Sequence, residues 1–276
     1  MKQKANHTAD PTASSRSRGP IRNSPLKRIF DFSISFVALL FLSPLLGAVA
    51  FAVWLEDRGS PFYGGVRVAR GGDDFRMLKF RSMRVDAWKT GVNSTAAGDS
   101  RITRIGAFLR RYKLDELPQL WNVLTGDMSF VGPRPQVRTD ANLYTAEERR
   151  MLEARPGVTD LSSIVFSDEG DILAGSSDPD LLYNQIIRPW KSRLALLYLE
   201  RRSFAVDLHI LLLTATALVS RSRALAGVGR ILEQWNADPL LRGMALRQEP
   251  LVAYPPPGAT EVLSAYRKEQ LQAVNA

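Results

Sequence analysis

The sequence predicts a mostly helical α+β protein attached to a membrane, and three observations carry this. Residues 29–55 are almost entirely apolar. Two short apolar arms flank Gly71-Gly72-Asp73, the pattern of a β-hairpin. From Ile102 onward, apolar residues recur at helical spacing rather than in alternation.

Charge and composition narrow the partners. The chain has 276 residues, with 37 Lys+Arg against 28 Asp+Glu, a net charge of +9 and a pI near 10.0. Such a balance points to a polyanion: nucleic acid, an anionic membrane face or a phosphorylated substrate. There is no cysteine, and His7 and His209 are the only histidines, which excludes a disulfide scaffold, thiolate catalysis and a His- or Cys-rich metal site. Residues 1–26 read as a disordered basic tail. Through residue 28 the chain holds Lys2, Lys4, Arg16, Arg18, Arg22, Lys27 and Arg28 against Asp10 alone, or +6 of the +9. The remainder, at +3, does not look like a nucleic-acid domain, so no nucleic-acid partner is expected.

The apolar run follows directly. As one straight helix Ile29–Leu55 would reach about 40 Å, more than the ~30 Å hydrocarbon core. Ser43-Pro44 lies at its middle, where proline removes a backbone hydrogen bond and crowds the preceding turn. The two halves would reach roughly 21 and 16 Å, so neither spans a bilayer alone. Arg58, Arg67 and Arg70 downstream mirror the basic residues upstream, which favours both ends on one side of the membrane. Composition leaves two readings: a re-entrant hairpin over residues 27–56 broken at Ser43-Pro44, or a single-pass helix kinked by proline. A signal peptide fits less well, because the apolar run continues past Ala48-Val49-Ala50.

The hairpin is expected over residues 61–83, with Phe62-Tyr63 and Val66 to Val68 on one arm and Phe75 to Phe80 on the other. After a polar stretch from Lys89 to Ser100, Ile102, Ile105, Leu109 and Tyr112 share one helical face while Arg101, Arg104, Arg110, Arg111 and Lys113 occupy the others. A second helix should start at Asp115-Glu116-Leu117-Pro118, with aspartate as N-cap, and stop near Thr125-Gly126. Arg155-Pro156-Gly157 is a turn and residues 167–180 an acidic loop. Leu181 to Arg202 reads as helix broken at Pro189, and Phe204 to Val219 as a buried or interfacial helix too short to span. Residues 227–276 contain Pro255-Pro256-Pro257 and carry no clear signal.

The chemistry-bearing segment is residues 110–136. Asp115-Glu116 at a helix start would be held anionic by the helix dipole, which suits a nucleophile or a ligand for a hard cation. Arg134, fixed between Pro133 and Pro135, presents a guanidinium with little backbone freedom, suited to phosphate. From spacing alone, a plain helix cap is the simpler account of the carboxylate pair.

Lys113-Leu114-Asp115-Glu116-Leu117-Pro118-Gln119-Leu120-Trp121-Asn122-Val123-Leu124, followed by Gly126-Asp127-Met128-Ser129-Phe130-Val131-Gly132-Pro133-Arg134-Pro135, resembles the signature of the bacterial sugar transferases, the monotopic phosphoglycosyl transferases. Lys27-Arg28-Ile29-Phe30-Asp31, Ser43-Pro44, Lys79-Phe80-Arg81-Ser82-Met83, and Asp99 with Arg101-Ile102-Thr103 agree in order. The resemblance implies transfer of a sugar-1-phosphate from a UDP-sugar to polyprenyl phosphate with release of UMP, at the cytoplasmic face of the bacterial inner membrane. It implies Asp115 as nucleophile forming a phosphosugar-aspartyl intermediate, and Glu116 beside it as a ligand for Mg2+ or a manager of acceptor protonation. Arg134, Arg110, Lys79 and Arg81 would bind phosphate or nucleotide oxygens. It also implies a re-entrant membrane helix, interfacial amphipathic helices and a small cytoplasmic catalytic domain over residues 57–226; a homodimer stays open. The segment after Pro156-Gly157 departs from the family pattern, so the sugar is not implied. The absence of a membrane bundle before Lys27 places the chain with the small members. The competing reading is a membrane-anchored binding or scaffold protein whose Asp-Glu pair is only a cap.

Overall fold

The computed structural model describes residues 24–90, 94–96, 98–248 and 250–265, so the expected tail lies outside the described residues up to Asn23. Helix α1 (Pro25–Asp57) begins with proline in its first turn, where the missing N–H costs nothing. It is long and apolar enough to cross a membrane. The expected interruption at Ser43-Pro44 is absent: the helix runs through it. The reason is local. Pro44 cannot donate to the carbonyl of Leu40 four residues back, and the Ser43 hydroxyl donates to that same carbonyl at 2.8 Å.

Both halves of α1 rest on the rest of the protein. Near its start, Arg28 donates to the carbonyls of Val123 and Leu124 at 2.6 and 2.7 Å, and Lys27 donates to Val131 O at 2.8 Å and pairs with Asp207. Beyond Pro44, Val53 is buried with Phe80 and Leu109, with Leu46, Val49 and Ala50 packed around them. Between these contacts Phe36, Val37, Leu40 and Phe41 are exposed, Phe41 at 78%.

Strands β1 (Phe62–Val68) and β2 (Asp74–Phe80) form the expected antiparallel hairpin, with Val68 opposite Asp74 and Phe62 opposite Phe80. Its turn needs glycine at Gly71 and Gly72, whose φ values are +86° and +94°. Helix α2 (Arg104–Arg111) is capped by Thr103, whose hydroxyl accepts from Gly106 N at 2.9 Å. Leu109 is buried, but Tyr112 is half-exposed and so leaves the face assigned to it. A 3-10 turn (Leu114–Glu116) and helix α3 (Gln119–Thr125) follow. Strand β3 (Ser129–Val131) then runs to the single-turn helix α4 (Arg138–Ala141).

Strand β3 pairs in parallel with β4 (Gly157–Thr159), a small sheet that the sequence pattern did not predict. Gly132 and Gly157 meet where these strands diverge: a Cβ on Gly157 would lie 2.2 Å from Gly132 N, and one on Gly132 2.4 Å from Arg155 O. Helix α5 (Leu161–Val165) is capped by Asp160, which accepts from Ser163 N at 2.7 Å. The expected acidic loop contains the short helices α6 (Glu169–Ile172) and α7 (Pro179–Leu182). Helix α8 (Arg188–Arg201) is separated from α7 by a π turn (Tyr183–Ile187), so the break lies just before Pro189. Then come α9 (Phe204–Val219), α10 (Arg221–Gln234) and α11 (Pro239–Ala245).

Helices α5, α8, α9 and α10 enclose the main core, with Ile164, Val165, Leu194, Ile210, Val228 and Leu232 fully buried. Helix α9 turns Asp207, Ile210 and Leu213 inward while Leu212, Leu218 and Val219 are exposed. The segment after α11 lies along α8: Tyr254 stacks on Trp190 at 4.6 Å between ring centroids, and its N–H donates to Gln185 O at 3.0 Å. That carbonyl is four residues before Pro189, which has no N–H to offer it.

Candidate active site

Asp115 lies within the 3-10 turn, and the residue preceding α3 is Pro118, so Asp115 is not the N-cap expected for it. Lys113, in the left-handed conformation at φ 57°, turns the chain from α2 into this site. Asp115 is 6% exposed. Burial pushes its carboxyl above the usual aspartate value, and the negative charge of Glu116 adds to that while Lys79, Arg110 and Lys113 oppose it. The expected lowering by a helix terminus is therefore reversed, because desolvation outweighs it.

Glu116 differs in every respect. Lys79 Nζ donates to Glu116 Oε1 at 2.7 Å, and Arg134 engages both carboxylate oxygens, Nη2 on Oε1 and Nη1 on Oε2, the latter at 3.1 Å. Burial alone would raise Glu116, but Arg134 and Lys79 overcome it and hold the carboxyl well below the usual range. Lys79 is also 3.9 Å from Asp115 Oδ2, and burial lowers its pKa against the pull of Glu116. Arg134 Nη1 further donates to Val158 O at 2.7 Å, so β4 fixes the fork that Pro133 and Pro135 orient from the other side.

Three elements thus converge: β2 supplies Lys79, the turn before α3 supplies the carboxylates, and the chain after β3 supplies Arg134. Asn122 ties two of them together, accepting from Leu78 N and donating to Arg76 O, each at 2.9 Å. Of the residues singled out in sequence, Lys79, Asp115, Glu116 and Arg134 come together. Arg110 faces the same region and donates to Ser82 Oγ at 3.4 Å. Arg81 is turned away, gripping Asp57 through both arms and Ser60 O through Nε.

A family model described as bacterial sugar transferase matches residues 22–221. The chain belongs to that family. Among relatives of this transferase, one from Bacillus subtilis, provisionally named an undecaprenyl-phosphate N-acetylgalactosaminyl 1-phosphate transferase, is 44% identical over 40% of the chain and 62% of its own length. The exopolysaccharide production protein ExoY of Sinorhizobium fredii is 41% identical over 50% of the chain and 68% of its own. A UDP-glucose:undecaprenyl-phosphate glucose-1-phosphate transferase of Xanthomonas campestris pv. campestris is 36% identical over 72% of the chain and 40% of its own. The transferase therefore spans roughly two fifths to two thirds of the length of these relatives. Its long apolar helix and its family together make it a membrane-associated protein.

Two residues beside the site escaped sequence reasoning. Gln119, one turn after Asp115, is fully buried, and its amide has no hydrogen-bond partner among the described residues. Arg67 was counted only as flanking charge. Its alternation with Gly65 and with Tyr63, which pairs with Lys79 across the hairpin, is the signal that could have placed it.

Proposed function

We propose that the transferase moves a sugar-1-phosphate from a UDP-sugar to polyprenyl phosphate through Asp115. The observation that carries this is the division of labour in the carboxylate pair: Glu116 is neutralised by two cations, and Asp115 is buried beside it with, among the described residues, no cation nearer than Lys79 at 3.9 Å. A carboxylate with a raised pKa is the better nucleophile of two neighbours. Asp115 Oδ forms a bond to the β-phosphorus as the bridging P–O bond breaks, and the electron pair leaves with UMP. An oxygen of the lipid phosphate then attacks the same phosphorus, the Asp115–phosphorus bond breaks, and polyprenyl diphosphate sugar departs. Lys79 and Arg134 stabilise charge on the phosphoryl oxygens during both steps.

Magnesium belongs to this reading. Such an ion takes one or two carboxylates and completes its shell with substrate phosphates and water. Asp115 supplies an oxygen not taken by a cation, whereas Glu116 supplies one only if Lys79 or Arg134 moves onto phosphate. When bound, the ion would neutralise charge on departing UMP.

The membrane placement is part of the proposal. Packing of α1 on one body both before and after Pro44, with an exposed apolar stretch between, supports a re-entrant helix whose two ends share the cytoplasmic face of the inner membrane. The exposed apolar side of α9 fits an interfacial helix at the same level. Asp115→Asn is the test of chemistry: with a panel of UDP-sugars and polyprenyl phosphate, UMP release is expected to vanish. Release at the wild-type rate would reject the covalent route, and no release by the wild-type protein from any UDP-sugar would reject the reaction.

A further inference from the structure

Tyr63, Gly65 and Arg67 alternate along β1 and so share one face of the hairpin. Their cross-strand partners on that face are Lys79, Met77 and Phe75. Lys79 reaches Glu116 from it, and Met77 is buried against Val123 and Met128 under the site. The face is therefore the wall of the active site. A Cβ on Gly65 would lie 2.9 Å from Tyr63 Cε1 and 3.1 Å from Arg67 Nη1, so these two side chains close over Gly65 from both ends.

Arg67 is half-buried, and among the described residues its one side-chain hydrogen bond is from Nη1 to Val66 O at 2.8 Å. Among the described residues no carboxylate oxygen lies within ion-pair distance of it. Burial disfavours its protonated form and Arg134 adds to that, while Tyr63, Asp140 and Tyr183 oppose it only in part, without the direct ion pair that Glu116 gives Lys79 and Arg134. Tyr63 beside it is 52% exposed, an aromatic face left open next to a cation. A guanidinium fork with an open ring suits a ligand carrying phosphate and a planar base.

We propose that Arg67 and Tyr63 form the subsite for the nucleotide end of the donor, Arg67 taking the α-phosphate oxygens and the Tyr63 ring lying against the nucleoside. This rests on the transferase reading above. Because UMP keeps that phosphate, the subsite holds the leaving product as well as the donor.

The test measures Arg67→Gln and Arg67→Lys in the full chain. Arg67→Gln should raise the KM for UDP-sugar and the UMP inhibition constant together, by roughly tenfold or more. Arg67→Lys should fall between it and wild type, since charge is kept and the fork lost. The KM for polyprenyl phosphate and the unfolding temperature should stay at wild-type values. Wild-type constants for donor and UMP in Arg67→Gln would overturn the proposal, as would a rise confined to the acceptor KM. If the wild-type protein turned over no UDP-sugar, the transferase reading would fall, and calorimetry with UDP alone would still decide the subsite: weaker binding by Arg67→Gln supports it and equal binding overturns it.

Discussion

Amide substitution of Asp115 and Glu116, neighbours in the chain, is expected to move stability in opposite directions. Glu116→Gln would leave Lys79 and Arg134 without their shared counter-charge. All three side chains are 19–22% exposed, so solvent screens the loss only weakly. Removing one side of a buried ion pair costs about 3–5 kcal/mol. At roughly 2–4 °C per kcal/mol for a chain of this size, Tm should fall by roughly 6–20 °C. Asp115→Asn removes a buried charge that no partner fully offsets, and should add about 1 kcal/mol, or roughly 2–4 °C. Acidification shrinks both effects, each for its own reason. The Glu116 carboxyl is held below its unfolded value of 4.5, so its contribution is complete above that pH and lost as pH falls through the folded value. The Asp115 carboxyl is raised from 3.8, so its contribution is present below that pH and lost as pH rises through the folded value. Urea unfolding of the detergent-solubilised chain, followed by tryptophan fluorescence, reads both. Equal signs for the two variants, or a loss under about 1 kcal/mol for Glu116→Gln, would refute the assignment of charge within the pair.

Three further outcomes follow from the same geometry. If turnover needs ionised Asp115, the rate should fall on the acid side with an inflection above 3.8, and an inflection at or below that value would contradict its burial. The proposed re-entrant path needs α1 to bend at Pro44; Pro44→Ala restores an N–H for Leu40 O and frees the Ser43 hydroxyl, which should favour a straight helix of about 50 Å instead. Single cysteines introduced at Ser24 and Ser60 of this cysteine-free chain should be labelled from one side of sealed vesicles in the parent and from opposite sides in Pro44→Ala. Labelling from opposite sides in the parent would reject the re-entrant helix. Gly157→Ala places a Cβ 2.2 Å from Gly132 N and must part β3 from β4 ahead of Arg134. A stability loss of about 2 kcal/mol with a clear drop in turnover is expected, and wild-type values for both would show that this approach does not position Arg134.

Much of the hairpin and α9 was legible because their signals are local. Gly71-Gly72 fixes a turn, and the Ser203 hydroxyl accepts from Val206 N where the apolar run of α9 begins. The site was legible as a list of residues but not as electrostatics. Whether a carboxylate before a helix is a cap or a buried group depends on what packs over it, and Lys79 is 37 positions away from Glu116. The β3–β4 pair was illegible for a similar reason: three-residue strands carry no periodicity, and their pairing rests on two glycines whose closeness is a tertiary fact. At Ser43-Pro44 the sequence rule for proline was sound but incomplete, since a hydroxyl one residue earlier supplies the missing donor.

The placement of Lys79 and Arg134 on Glu116 rather than on Asp115 has a consequence for the proposed reaction. Lys79 stands 2.7 Å from Glu116 and 3.9 Å from Asp115. At an effective dielectric constant of about 20 that difference favours the Glu116 pairing by about 2 kcal/mol. Cations placed directly on Asp115 would stabilise its carboxylate in the ground state and blunt it as a nucleophile. Held on Glu116 instead, they stand beside the path of attack, already oriented, and an arriving diphosphate can share them without their being drawn from solvent. Glu116 then acts as the resting counter-charge of the phosphate-binding groups. A carboxylate suits this better than water, since it keeps two buried cations in register in the absence of substrate and yields by repulsion as phosphate oxygens approach.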